Sequence, residues 1–395
     1  MAQRMGMGRW KLRIFAGVAV LALAVAAIAG WTASISPAHA SSASAVADDG
    51  QAAAKFVTDG SGTGFRTANT IPWWGSSFTY NGTTYPFTMV GADPSTNRST
   101  TIPTVLIPLK FVFSPKSNLG GGNFSDVRDP YTVDKATGLN SVQGTLDSPV
   151  FQTATYPDGV GTVQFGDAIQ RATFDKTGTN GYHVLLGTPK VLPEVTITVP
   201  ANLADVHSIS ARVDYGWFSN TIHQLINSLH ISPATLPIFV TYNTLLYQNN
   251  NRADCCVVGY HGATTSLNGN GAQQVQTYIY EAFVSPGIFF NPSFVDALAL
   301  SHEVSEWEND PFVNNLVPPW LSLGTPPFCQ GNLETGDVIE QLYNAAFLVP
   351  LNGVTFHMQT EALLPWFERQ SPSTAVAGAY SYPNTAIATT FAQSC

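Results

Sequence analysis

The segment Leu300-Ser301-His302-Glu303-Val304-Ser305-Glu306-Trp307-Glu308-Asn309-Asp310-Pro311 constrains this chain more than any other stretch. It crowds an imidazole and several carboxyls into one turn-and-a-half of a sequence that is only 11% charged. His302 and Glu306 stand four residues apart, so on a helix their side chains share one face. The apolar run Leu298-Ala299-Leu300 before them reads as the buried part of the same helix, where an ionisable group is costly without a partner. A fold that buries this helix therefore has to bring partners to it, and Asp310-Pro311 ends it.

The rest of the chain divides by pattern. None of its nine Glu residues precedes Glu194, and five fall between Glu303 and Glu340. From 56 to 218, short β-type runs alternate with Gly, Pro, Asn and Asp: 104–113, 161–165, 182–186, 195–199 and 211–217. That spacing predicts a β-rich, sandwich-like region. From 219 to 395 the order is a helix over 220–229, strands over 238–247 and 275–284, then the motif helix over 291–308. Asn291-Pro292, or Ser293 with Asp296, supplies the helix start. The expected fold class is α+β, with the β-rich region followed by a mixed domain carrying the motif helix.

Residues 1–40 read as a secretory signal: Arg4, Arg9, Lys11 and Arg13 lead into an apolar run over 14–28 and the small-residue cleavage pattern Ala38-His39-Ala40. Residues 41–55 form a polar, disordered start. Cleavage after Ala40 predicts a secreted or periplasmic protein with no membrane attachment. Setting aside the four basic residues of the signal leaves 13 Lys and Arg against 26 Asp and Glu. Nucleic acid is an unsuitable partner for so acidic a chain. Cys255, Cys256, Cys329 and Cys395 are an even set in an oxidising compartment, which favours two disulfides. A bond between the adjacent Cys255 and Cys256 needs a strained eight-membered ring, so each is expected to pair with Cys329 or Cys395.

Zinc hydrolases need a few protein ligands, an open position for water and a base beside it. Helices of the H-E-x-x-H type place ligands at i and i+4 and the base at i+1. Here His302-Glu303-x-x-Glu306 resembles the zincin class of metallopeptidases, with Glu306 where the second histidine stands. A carboxylate there makes calcium or another oxygen-preferring ion an alternative to zinc. The longer pattern S-H-E-x-x-E-x-x-x-D-P, followed by Glu334-Thr335-Gly336-Asp337, is similar to secreted bacterial proteins distantly related to the phosphate-induced, exordium-like family. The segment 256–262, with Gly259-Tyr260-His261-Gly262, resembles their Cys-rich stretch before the motif. The likeness covers 220–340. It implies a zincin-like domain with His302 and Glu306 as metal ligands, Glu303 as general base and Glu334 as third ligand. Asp337 substitutes for Glu334 or orients His302, and His261 is a further ligand or a transition-state donor.

The resulting expectation is a metal-dependent hydrolase of peptides or proteins. A binding or cell-surface protein with a structural ion would use the same residues, and a glycosidase would use two of the clustered Glu side chains. A solvated helix face would reduce His302 and Glu306 to an ordinary i, i+4 pair. Trp73-Trp74 could stack on a sugar, although aromatic pairs in β-rich chains usually belong to the core.

Overall fold

The strand β1 (Thr104–Phe113, TVLIPLKFVF) is nearly continuous in apolar residues, as a strand covered on both faces must be. The structure is a computed structural model that describes residues 69–114, 126–178, 181–267, 270–271 and 273–395. The signal expected at 1–40 and the polar start at 41–55 lie outside the described residues. Among the described residues no helix is long and apolar enough to cross a membrane.

The central sheet has seven strands: besides β1 and the two-residue strands Val127–Arg128 and Lys190–Val191 that pair with it, they are β2 (Val195–Val199), β3 (Leu236–Tyr242), β4 (Gly259–Leu267) and β5 (Gln273–Phe283). Their spatial order is β2-β1-β3-β5-β4. The first four run parallel, while β4 pairs antiparallel with β5 at the edge. Alternate side chains build a core on each face. Leu236, Ile238, Ile279 and Phe283 join one core together with Leu300, Val304 and Trp307 of the motif helix. Phe239, Tyr278 and Tyr280 join the other, under Phe218, Ile222 and Ile226.

Four helices flank these faces: α1 (Ser141–Asp147), α2 (Phe165–Thr173), α3 (Tyr215–Ser228) and α4, the motif helix (Leu298–Asn309). The molecule is thus mixed α+β and rich in strand. The expected split at 218/219 does not correspond to a structural division. β1 and β2 from the first part and β3, β4 and β5 from the second are neighbours in one sheet. In place of a separate sandwich, the apolar β1 finds a parallel partner on each side, which period-2 patterning within one segment cannot reveal.

The motif helix begins at Leu298 rather than 291. Asn291 closes a local turn by accepting the Ser293 N–H at 3.0 Å. Asp296, at φ 45°, accepts the Ala297 N–H at 2.6 Å and holds His357 through both backbone and ring. These residues anchor the helix start without belonging to the helix. Helix α3 likewise starts earlier than expected, because Asp214 caps it by accepting the Trp217 N–H at 2.9 Å.

The disulfides are Cys255–Cys256 and Cys329–Cys395, so the expected cross-pairing is corrected. The 255–256 peptide bond is cis. It brings the two Cα atoms to 3.0 Å and lets neighbouring sulfurs bond.

Candidate metal centre

All twelve residues of α4 are buried, between β4, β5, the strand Val354–Gln359 and α2. His302 and Glu306 therefore meet away from water: Nε2 and Oε2 approach to 3.1 Å, without the alignment of a hydrogen bond. The other Glu306 oxygen accepts the backbone N–H groups of Gly336 and Asp337 at 3.0 and 3.1 Å. That grip turns Oε2 toward the imidazoles.

The turn supplying these donors is fastened to the helix. Ser305 and Thr335 hydroxyls lie 3.0 Å apart, Gln359 donates to the Gly336 carbonyl at 2.8 Å, and Gln359 N–H reaches the Ser301 hydroxyl at 2.8 Å. Gly336 is required by space, since a Cβ there would sit 2.5 Å from His302 Nδ1.

His261 arrives from the edge strand β4. Its register partner is Ile279, which belongs to the core that α4 completes. The His261 ring places Nδ1 at 3.3 Å from Glu303 and 3.7 Å from Glu306, and Nε2 at 3.9 Å from Glu334. Two residues earlier Gly259 leaves room for Glu303, whose Cγ would stand 2.7 Å from a Cβ there. Asp337 Oδ1 lies 3.6 Å from His302 Nε2, while Oδ2 accepts from Gln330 at 2.5 Å.

His261, His302, Glu303, Glu306, Glu334 and Asp337 thus converge in one buried centre. Three carboxyls that sequence reasoning did not assign to it act there too. Asp310, read as a helix terminator and as part of the longer motif but given no role at the site, lies within the field of His261 and Glu306. Glu361, with neither oxygen hydrogen-bonded, acts on His302 and Glu306, and Glu340 groups with His302 and Asp337. The crowding of Glu between 303 and 340 was the available signal for Glu340; Glu361 lies beyond it and carries no motif.

Charge in this centre is unbalanced. Glu303, Glu306, Asp310, Glu334, Asp337 and Glu361 are six buried carboxyls against two imidazoles. Burial works against charge on His302, yet the Glu306 and Glu303 carboxylates outweigh it and hold the ring well above its ordinary value. His261 is raised by Glu303 and Glu306 against the same burial penalty. Burial would raise Glu306, but His302 and His261 pull it below the usual carboxylate range. Glu334 and Asp337 are pushed well up by burial and then by the Glu306 charge. Burial raises Glu361 despite His302, and Asp310 despite two backbone donors. Two imidazolium charges cannot neutralise six carboxylates, so protons or cations must.

The donor set fits a cation. Neither Glu334 oxygen meets a hydrogen-bond donor, and Asp337 Oδ1, His261 Nε2 and His302 Nε2 are also unsatisfied. Such groups require an explanation of this kind. Donor separations of 3.1 to 3.9 Å bracket the roughly 3.3–3.6 Å expected between ligands that each lie 2.0–2.2 Å from one tetrahedral ion. The groupings His261–Glu306–Glu334 and His302–Glu303–Glu306 both bring potential ligand atoms within 4.8 Å of one another.

Trp73 and Trp74 lie apart from this cluster. Trp74 meets Phe87 and Phe174 edge-on, beside a cavity of about 370 Å³ that Asp93, Thr173 and Glu368 also line. The chain matches no family model, no curated protein and no solved structure, so any functional reading rests on the centre itself.

Proposed function

We propose that this protein is an exported, zincin-like metal-dependent hydrolase whose substrates are peptides or proteins. The observation that carries the reading is the buried convergence of His302, Glu306, His261 and Glu334, in which His302 Nε2, His261 Nε2 and both Glu334 oxygens lack partners, with Glu303 at its edge. His302 and Glu306 would hold the ion together with Glu334. Zinc suits the imidazoles, and calcium or manganese suits the carboxylates. A bound divalent cation would polarise the scissile carbonyl and acidify a water beside it.

The chain's own groups then divide the work. Glu303 takes the proton from the attacking water and returns it to the leaving amine. Gly336 and Asp337 N–H groups keep Glu306 oriented, so its free oxygen does not swing away from the ion position. The protein walls exclude bulk water, which strengthens each of these interactions.

The test is Glu303→Gln. The variant is expected to keep the metal content of the parent and to lose peptide cleavage by about 100-fold or more. Loss of metal together with activity would make Glu303 a ligand, and cleavage at parental rate would reject it as base. Absence of metal in the parent would reject the centre altogether.

One observation favours a second reading, a binding or surface protein with a structural ion. The cavity beside His261, Glu303 and Glu334 is only about 20 Å³, room for an ion or a single water rather than a peptide. Under that reading chelation lowers the melting temperature, and the parent cleaves no peptide.

A further inference from the structure

We propose that the centre holds two divalent cations side by side, one bound by His261, Glu306 and Glu334 and the other by His302, Asp337 and Glu340. This deepens the metal-site reading above and rests on it, with His302 assigned to a second ion and His261 taking its place beside Glu306 and Glu334. The two triads share no residue, and in each the potential ligand atoms lie within 4.8 Å of one another.

Space is divided in the same way. One cavity of about 20 Å³ is lined by His261, Glu306 and Glu334. A second of the same size is lined by His302 and Glu340 together with Gln359. Glu303 borders both, and each cavity has the volume of a single small ion or water.

Unsatisfied atoms are divided likewise. His261 Nε2 and both oxygens of Glu334, a residue 1% exposed, lack partners on one side. His302 Nε2 and Asp337 Oδ1 lack them on the other. Charge points the same way, because with both imidazoles neutral as ligands one divalent ion balances two of the six buried carboxylates and a second brings that to four. Each triad offers one imidazole nitrogen and two carboxylates, a borderline set that suits zinc or manganese. Paired ions of this sort hold both the attacking and the leaving atoms of a displacement.

The experiment is elemental analysis of the full protein after chelator treatment and dialysis against Zn²⁺. Two zinc ions per chain are expected, falling to about one in Glu334→Gln and to about one in Asp337→Asn. One ion in the parent overturns the pair and leaves the single-metal reading standing; no ion overturns both. Two ions retained in both variants would place the metal elsewhere and also overturn the pair. A measurement that needs no variant covers misfolding: with Mn²⁺ in place of Zn²⁺, an exchange-coupled electron paramagnetic resonance spectrum is expected. An isolated six-line Mn²⁺ spectrum overturns the proposal.

Discussion

Gly336 shows how much one missing side chain decides. Its amide grips Glu306, its carbonyl is held by Gln359, and its bare Cα lies against the His302 ring. In Gly336→Ala the added methyl would press on Nδ1, Cγ and Cε1 of that ring at 2.5 to 2.7 Å. The expected cost is about 1–3 kcal/mol from overpacking, with metal affinity reduced about 10–100-fold as the ligand turns. Thermal melts and zinc titration check both; an unchanged affinity would show that the ring orientation does not matter. The pair His302 and Glu306 was legible at the residue scale because four-residue spacing fixes a shared helix face. Glu361 was not, because its place beside His302 follows from tertiary folding of a segment with no local signature. Glu308 was open to reading as a solvated residue, yet it is buried against Gly166, and burial holds its carboxyl well above the usual range.

Among elements, those whose burial follows a simple period were the legible ones. β1 and β2 were expected over the ranges observed, and β3 and β5 to within a few residues. The single expected strand over 238–247 is two, since Asn243 takes φ 50° between Leu236–Tyr242 and Thr244–Tyr247. Helix starts were displaced because Asp214 caps α3 so that it begins at Tyr215, five residues ahead of the expected Asn220, and Asp296 anchors α4 from outside the helix instead of within its first turn. The element β5 also carries a buried acid, Glu281, which accepts the Thr145 hydroxyl at 2.6 Å. Burial pushes it up to about 8. A raised acid is neutral in the fold and ionises first in the unfolded chain. Its contribution is therefore complete below about pH 4.5 and is lost as pH rises toward 8. The linked loss is on the order of 5 kcal/mol. Glu281→Gln, which keeps an acceptor for Thr145, should flatten that slope and melt higher than the parent at pH 8. Parallel melting curves of the two proteins from pH 5 to 8 would refute it.

The whole molecule is closed by long-range ties. Cys329–Cys395 spans 66 residues and secures the last residues of the chain to the segment before the Glu334 turn. Replacing both cysteines by serine is expected to cost about 2–5 kcal/mol, read from denaturant unfolding; a smaller loss would mean that the core of Trp320, Trp366 and Phe367 holds the terminus unaided. The shared sheet gives another expectation at this scale. A fragment ending at residue 218 lacks β3 and β5 and should be insoluble, whereas a soluble, cooperatively melting fragment would restore a boundary there.

The same arrangement sets a clock on synthesis. β1 leaves the ribosome well over a hundred residues before its inner neighbour β3, a wait of roughly 6–25 s at about 5–20 residues per second. During that interval a ten-residue, β-prone apolar strand has an open edge. A cell making this protein must keep the nascent half shielded for that long, and the burden rises with every ribosome on the message.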